Sequence, residues 1–146
     1  MSDITAAEAA SPVLALRRAI IARLAADAEL VGILGGPRIY DPVPRAASGV
    51  YVAFGDLNCR DWSTASDQGH QQEAALVVWS KTGGAKPALA AAARIAALLH
   101  DADLALVGHR LVNLRVTATE ARRDARSDLD RVTLRLSAVT EVLPAA

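Results

Sequence analysis

Two segments in the last third of the chain alternate apolar and polar residues with a period of two. In the first, Val112, Leu114, Val116 and Ala118 share one side and Asn113, Arg115, Thr117 and Thr119 the other; in the second, Val132, Leu134, Leu136 and Ala138 oppose Arg131, Thr133, Arg135 and Ser137. That pattern suits a strand with one buried face, so the pair is expected to form an antiparallel hairpin. Its outer face, rich in Thr and Arg, is then wet or lies against a polar partner. The segment Gln72 to Ser80 differs, because Ala74, Leu76 and Val78 point one way while Ala75, Val77 and Trp79 point the other. A strand apolar on both faces belongs in the middle of a sheet. Tyr51 to Leu57 reads as a further strand, Arg38-Ile39-Tyr40 as a very short one, and the polar run Asn58 to Gly69 as a loop.

Two helices are expected to cover the apolar side. Ser11-Pro12 supplies an N-cap followed by proline at the first helical position, after which Val13, Leu16, Ile20 and Leu24 recur at helical spacing, widened by Leu14, Ile21 and Ala25. Arg17 intrudes on this stripe and is read as a long side chain snorkelling at its edge. The second helix runs over Ala88 to Leu99. Between the first helix and the sheet, Gly32, Gly35-Gly36, Pro37, Pro42 and Pro44 are expected to break regular structure. The expected class is therefore α+β: a mainly antiparallel sheet of four to five strands with two principal helices on one face. With 146 residues, one domain over 11–143 is expected after a flexible head at 1–10. Hydrophobic residues make up 52% of the chain but aromatics only 3%, so its core must come from Leu, Val, Ile and Ala.

Charge and composition exclude several functions. Lys+Arg and Asp+Glu are both 16, leaving no net field to draw the chain to nucleic acid or anionic membrane. No basic leader or long apolar run is present, so a soluble, cytoplasmic protein without a membrane partner is expected. The single cysteine, Cys59, can make neither an internal disulfide nor a multi-cysteine zinc site.

Chemical motifs were tested by spacing. The stretch Val77 to His100 passes from a strand through Thr82-Gly83-Gly84-Ala85-Lys86 into an alanine-rich helix, where a phosphate loop would sit. That loop requires Gly, four residues, then Gly-Lys-Ser/Thr; here Lys86 follows Ala85 and precedes Pro87, which removes a backbone donor at the helix start. Gly83-Gly84 therefore reads as a turn. His100, Asp101, Asp103 and His109 have no diagnostic metal spacing, and His100 is read as an imidazolium complementing a helix C-terminus. Asp124, Asp128 and Asp130 lack the glycine and bidentate glutamate of a calcium loop. Ser63, Ser66, Asp67 and His70 could be drawn as a hydrolase triad, but no nucleophile elbow accompanies them. No catalytic residue, cofactor or metal site is expected.

The order of the segments carries more information than any one of them. A leading helix, then Leu30 to Pro44, Tyr51-Val-Ala-Phe-Gly, Val77-Val-Trp-Ser before a Gly-led helix, and the closing Arg135 to Glu141 together resemble the tail-completion or tail-terminator family of long-tailed phages. The version in phage-like gene transfer agents is especially similar. The resemblance spans about Ala10 to Leu143 and implies a structural subunit, without catalysis, of a six-membered ring. That ring caps the head-proximal end of the tail tube, ends tube polymerisation and joins the tail to the head connector or stopper. Its implied partners are further copies of itself, the major tail tube protein and the connector, with DNA only passing through the lumen. It is cytoplasmic during assembly and then part of a released particle. A neck or head-closure subunit, or a small ligand-binding or hydrolytic domain, are the alternatives. A cyclic ring has heterologous interfaces, for which two segments that read as long loops are expected to serve, Asn58 to Gly69 and Glu120 to Asp130. The residues expected to make contact are Asp61, Trp62, Asp67, Arg122, Arg123, Arg126 and Asp128.

Overall fold

The computed structural model describes residues 2–81 and 84–144. Its helices are α1 (Ser2–Ala10), α2 (Pro12–Ala25), α3 (Ala28–Leu34) and α4 (Ala85–Leu99). Its strands are β1 (Ile39–Tyr40), β2 (Val50–Asp61), β3 (Gly69–Ser80), β4 (Ala105–Leu106), β5 (His109–Asp124) and β6 (Leu129–Val142). They form a mixed sheet in the order β1-β2-β3-β6-β5-β4. All neighbours run antiparallel except β1 and β2, which are parallel. As expected, β3 is central, and β5 and β6 form the hairpin.

The period-two residues build the buried layer. Val52, Leu76, Val78, Leu114, Val132, Leu134, Leu136 and Ala138 meet Leu16, Ile20 and Leu24 of α2 and Ile95 and Leu99 of α4 in one hydrophobic cluster. On α4 the buried positions Ala88, Ala91, Ala92, Ile95, Leu98 and Leu99 recur every three or four residues, and the alanines let the helix approach the sheet closely. Ser11 caps α2 as its sequence suggests, its hydroxyl accepting from Leu14 N at 3.1 Å. Arg17 is held more firmly than a snorkelling side chain, because Nη1 donates to both Asp41 carboxylate oxygens at 3.1 and 3.2 Å and the guanidinium lies 4.7 Å from the Phe54 ring centroid. The turn expected at Gly83-Gly84 falls partly outside the described residues; Gly84, at φ 73°, is the N-cap of α4.

Several expectations are corrected. Ser2–Ala10 form helix α1, and α3 occupies a stretch expected to be irregular. Asp27 caps α3 through Leu30 N at 2.9 Å and Gly35 ends it at φ 75°, so Gly32 sits inside a helix whose Leu30 and Leu34 are buried. The sheet has six strands rather than four or five, with a parallel pair. Asn58 to Asp61 belong to β2, paired with Gln71, Gln72, Glu73 and His70, and Glu120 to Asp124 belong to β5. The connections are thus residues 62–68 and 125–128, much shorter than the polar runs suggested. Alternation along β5 is also interrupted by register shifts between Leu111 and Asn113 and between Val116 and Ala118. Val112 is consequently 45% exposed, and Ala118 pairs with Arg135, on the outer face, instead of continuing the apolar row.

Candidate functional site

The strand register sets the two candidate interface regions at opposite ends of one sheet. Gly69 at the start of β3 pairs with Glu141, and Ser80 at its end pairs with Asp130. The 12-residue strand therefore separates the 62–68 turn from the 125–128 turn by roughly 35–40 Å.

At the first end, side chains expected to face a partner hold the turn. Ser63 Oγ donates to Asp61 Oδ1 at 2.5 Å and accepts from Gly69 N at 3.2 Å; Asp67 N donates to Thr64 Oγ1 at 3.1 Å, and Ser66 Oγ donates to Asp67 Oδ2 at 3.2 Å. Among the described residues no hydrogen bond joins either serine to His70, whose Nδ1 is buried without a partner, so the drawn triad is not assembled. This end displays Trp62 among exposed polar and acidic side chains, Asp61 and Asp67 included. Trp62 is 58% exposed, and with Val112, Val139, Thr64, Asp67, Gly69 and Glu141 it lines a hollow of about 230 Å³.

The other end is charged. Arg123 pairs with Asp128 and donates to Asp130 Oδ2 at 3.0 Å, while Asp124 accepts from Ser127 Oγ at 2.7 Å and Arg126 N at 3.1 Å. The Ser127 hydroxyl, followed by the Arg126 amide, holds the Asp124 carboxyl below its usual range. Of the expected residues, Arg123 and Asp128 are thus committed to the hairpin, as Asp61 and Asp67 are to the other turn. Arg122 and Arg126 are exposed, and among the described residues no hydrogen bond or ion pair holds their side chains. Arg122 lies on β5 facing Arg131, not on the tip.

Between the ends, the sheet face turned away from the helices is concave. One hollow of about 500 Å³ combines Ala75, Val77 and Trp79 with Arg122, Arg131 and Arg135, and Arg131 lies 5.7 Å from the Trp79 ring centroid. A second, of about 650 Å³, is lined by Asn58, Glu73, Thr117, Glu120 and Ser137. Small residues and polar rims make this a surface for contact rather than an enclosed pocket for a small molecule. Sequence reading missed the concavity because it arises from bulges and sheet twist.

The metal candidates are engaged elsewhere. His100 Nδ1 accepts from Val116 N at 3.0 Å, and its Nε2 lies 3.5 Å from Asp101. His109 is buried with Nδ1 2.9 Å from Val107 O. Among the described residues no three His, Cys, Asp or Glu converge on a metal position. Although Cys59 is exposed, partial desolvation by its neighbours raises its thiol above the ordinary pKa, which disfavours the nucleophilic thiolate.

The family model described as Tail completion protein gp17 matches residues 18–141. Among solved structures, the chain is similar to a component of one described as "Virion of native gene transfer agent (GTA) particle". The two share 34% identity and a TM-score of 0.80, over 87% of this chain and 95% of that one. No curated protein matches the sequence.

Proposed function

The chain belongs to the tail completion protein gp17 family and is a phage-type tail structural protein, part of a phage-like particle close to the gene transfer agent kind; from this premise we propose that it caps the head-proximal end of the tail tube as a ring. In this role it ends tube polymerisation and joins the tail to the head connector. The observation that supports this reading is the difference between the two ends of the sheet, an exposed Trp62 beside Val112 and Val139 at one and the arginine-bearing turn around Arg126 at the other. A subunit between tube and connector must meet two different partners along one axis, and chemically distinct ends serve that need. Balanced charge suits a passage that DNA crosses without being retained. No helix among the described residues is long and apolar enough to cross a membrane.

Electron microscopy of particles from cells lacking the gene tests the role. The expected result is DNA-filled heads without tails beside free tubes of uncontrolled length. Leaky, empty heads would move the subunit to the neck, and intact tailed particles would remove it from assembly altogether. Trp62→Ala and Arg126→Ala, each exposed and outside the core, are expected to abolish tail joining while leaving the fold intact.

A further inference from the structure

The strands next to the two edges of the sheet, β2 and β5, are only half covered. β1 pairs with β2 at Val52 and Ala53 alone, and a bulge between Phe54 and Leu57 marks where its cover ends. Beyond it, Leu57–Asp61 pairs continuously with β3 but, among the described residues, has no strand on its other side. On the opposite edge, β4 covers His109 and Arg110. The α4–β4 connection covers the next stretch, with Asp101 N donating to Leu114 O at 2.8 Å and Val116 N donating to His100 Nδ1 at 3.0 Å. After the bulge between Val116 and Ala118, no strand among the described residues pairs with the outer side of Ala118–Asp124. Open strand edges present rows of unpaired N–H and C=O groups that template pairing with another chain.

We propose that neighbouring copies of this chain join by pairing Leu57–Asp61 of β2 with Ala118–Asp124 of β5. This deepens the ring reading above and rests on it.

Three features select a second copy as the occupant. First, β2 and β5 run in opposite directions within the sheet, so a rotation about an axis along the sheet brings them together antiparallel, as a cyclic, heterologous contact requires. Second, the open halves are staggered. Cys59, central in the β2 run, pairs with Gln72, whereas Ala121, central in the β5 run, pairs with Val132 and through it with Val78. That offset of six β3 residues is about 20 Å, against about 19 Å for the width of four strands, a tilt of about 45°. Closed sheets tilt their strands by roughly 35–45°, so the stagger is what closure needs. Third, the charges agree. Centring Cys59 on Ala121 keeps inner and outer faces matched and sets Arg60 of one copy opposite Glu120 of the next. Within the chain these two make only long, exposed contacts, Arg60 to Glu73 at 4.0 Å and Glu120 to Arg135 at 3.9 Å.

Ala121→Cys tests the register directly, because Cys59 is the native chain's single, exposed cysteine. Directly opposed antiparallel residues lie about 4.5–5.5 Å apart at Cα, within disulfide reach. Tailed particles carrying Ala121→Cys, mildly oxidised, are expected to yield a ladder of disulfide-linked multimers, absent from the unsubstituted chain. Arg60→Glu and Glu120→Arg are each expected to lower the yield of tailed particles about tenfold, with the double reversal restoring it. Tailed particles whose two thiols stay free and label with maleimide, or a double reversal no better than either single, would overturn the pairing and leave the tail role standing. Intact tailed particles in the deletion strain would instead overturn the tail role, so the two failures are distinguishable.

Discussion

Replacing Leu30 with alanine measures whether α3 belongs to the core. Leu30 is 0% exposed and sits among the buried residues that join the helices to the sheet. Leu→Ala removes three carbons, worth about 2.4 kcal/mol at ~0.8 kcal/mol per buried carbon, and the cavity left behind raises the loss to about 3–4 kcal/mol. Total stability of a domain is about 5–15 kcal/mol, so this is a large fraction of it. At about 2.1 cal/mol/K per residue, a chain of 146 residues has an unfolding entropy of about 0.3 kcal/mol/K, so a 3 kcal/mol loss lowers Tm by about 10 °C. Urea unfolding is the assay: the midpoint should fall with the slope unchanged. Leu89→Ala is the matched control, since Leu89 on α4 is 45% exposed and its truncation should change stability by under ~0.5 kcal/mol. If Leu30→Ala costs less than about 1 kcal/mol, or no more than Leu89→Ala, α3 does not pack as described and the reasoning fails.

Gly32 lies inside α3, and a Cβ built there meets nothing within 4 Å, so Gly32→Ala should stabilise the fold by about 0.5–1 kcal/mol in the same assay; a loss would refute open space at that position. Asp27 caps α3 and accepts from Arg94 Nε and Nη2 at 2.9 and 2.7 Å, and the Arg94 bonds first, then the Leu30 amide, lower its pKa from 3.8 to about 2. A carboxylate whose pKa is lower folded than unfolded stabilises the fold above its unfolded value, and that contribution is lost as pH falls through about 4 to 2. Asp27→Asn should therefore flatten the pH dependence of stability across this window, and an unchanged acid-unfolding profile would refute the linkage.

The central strand, the closing hairpin, the α2 cap and the two large helices are legible in the sequence, because each depends on periodicity or on residues a few positions apart. Ser11 beside Pro12, and the opposed rows of Val132 to Ala138, need no distant partner to be read. α3 escapes because Gly32 and the following Gly35-Gly36 outweigh its two leucines locally, whereas burial of Leu30 and Leu34 and the Arg94 contact across to α4 decide the matter. Of the expected contact residues, Trp62 and Arg126 are displayed without a side-chain partner among the described residues, while Arg123 and Asp128, also exposed, pair with each other on their own hairpin.

Local pattern thus determined the faces of β3 and β6 and the apolar composition of the core. Tertiary structure alone decided where β5 slips register, which halves of β2 and β5 stay uncovered, and that the two turns lie at opposite ends of the sheet. The physical reason is that side-chain alternation is set between residues i and i+2. Bulges, edges and ends are properties of pairing between strands far apart in the chain, where one inserted residue changes the face of everything beyond it.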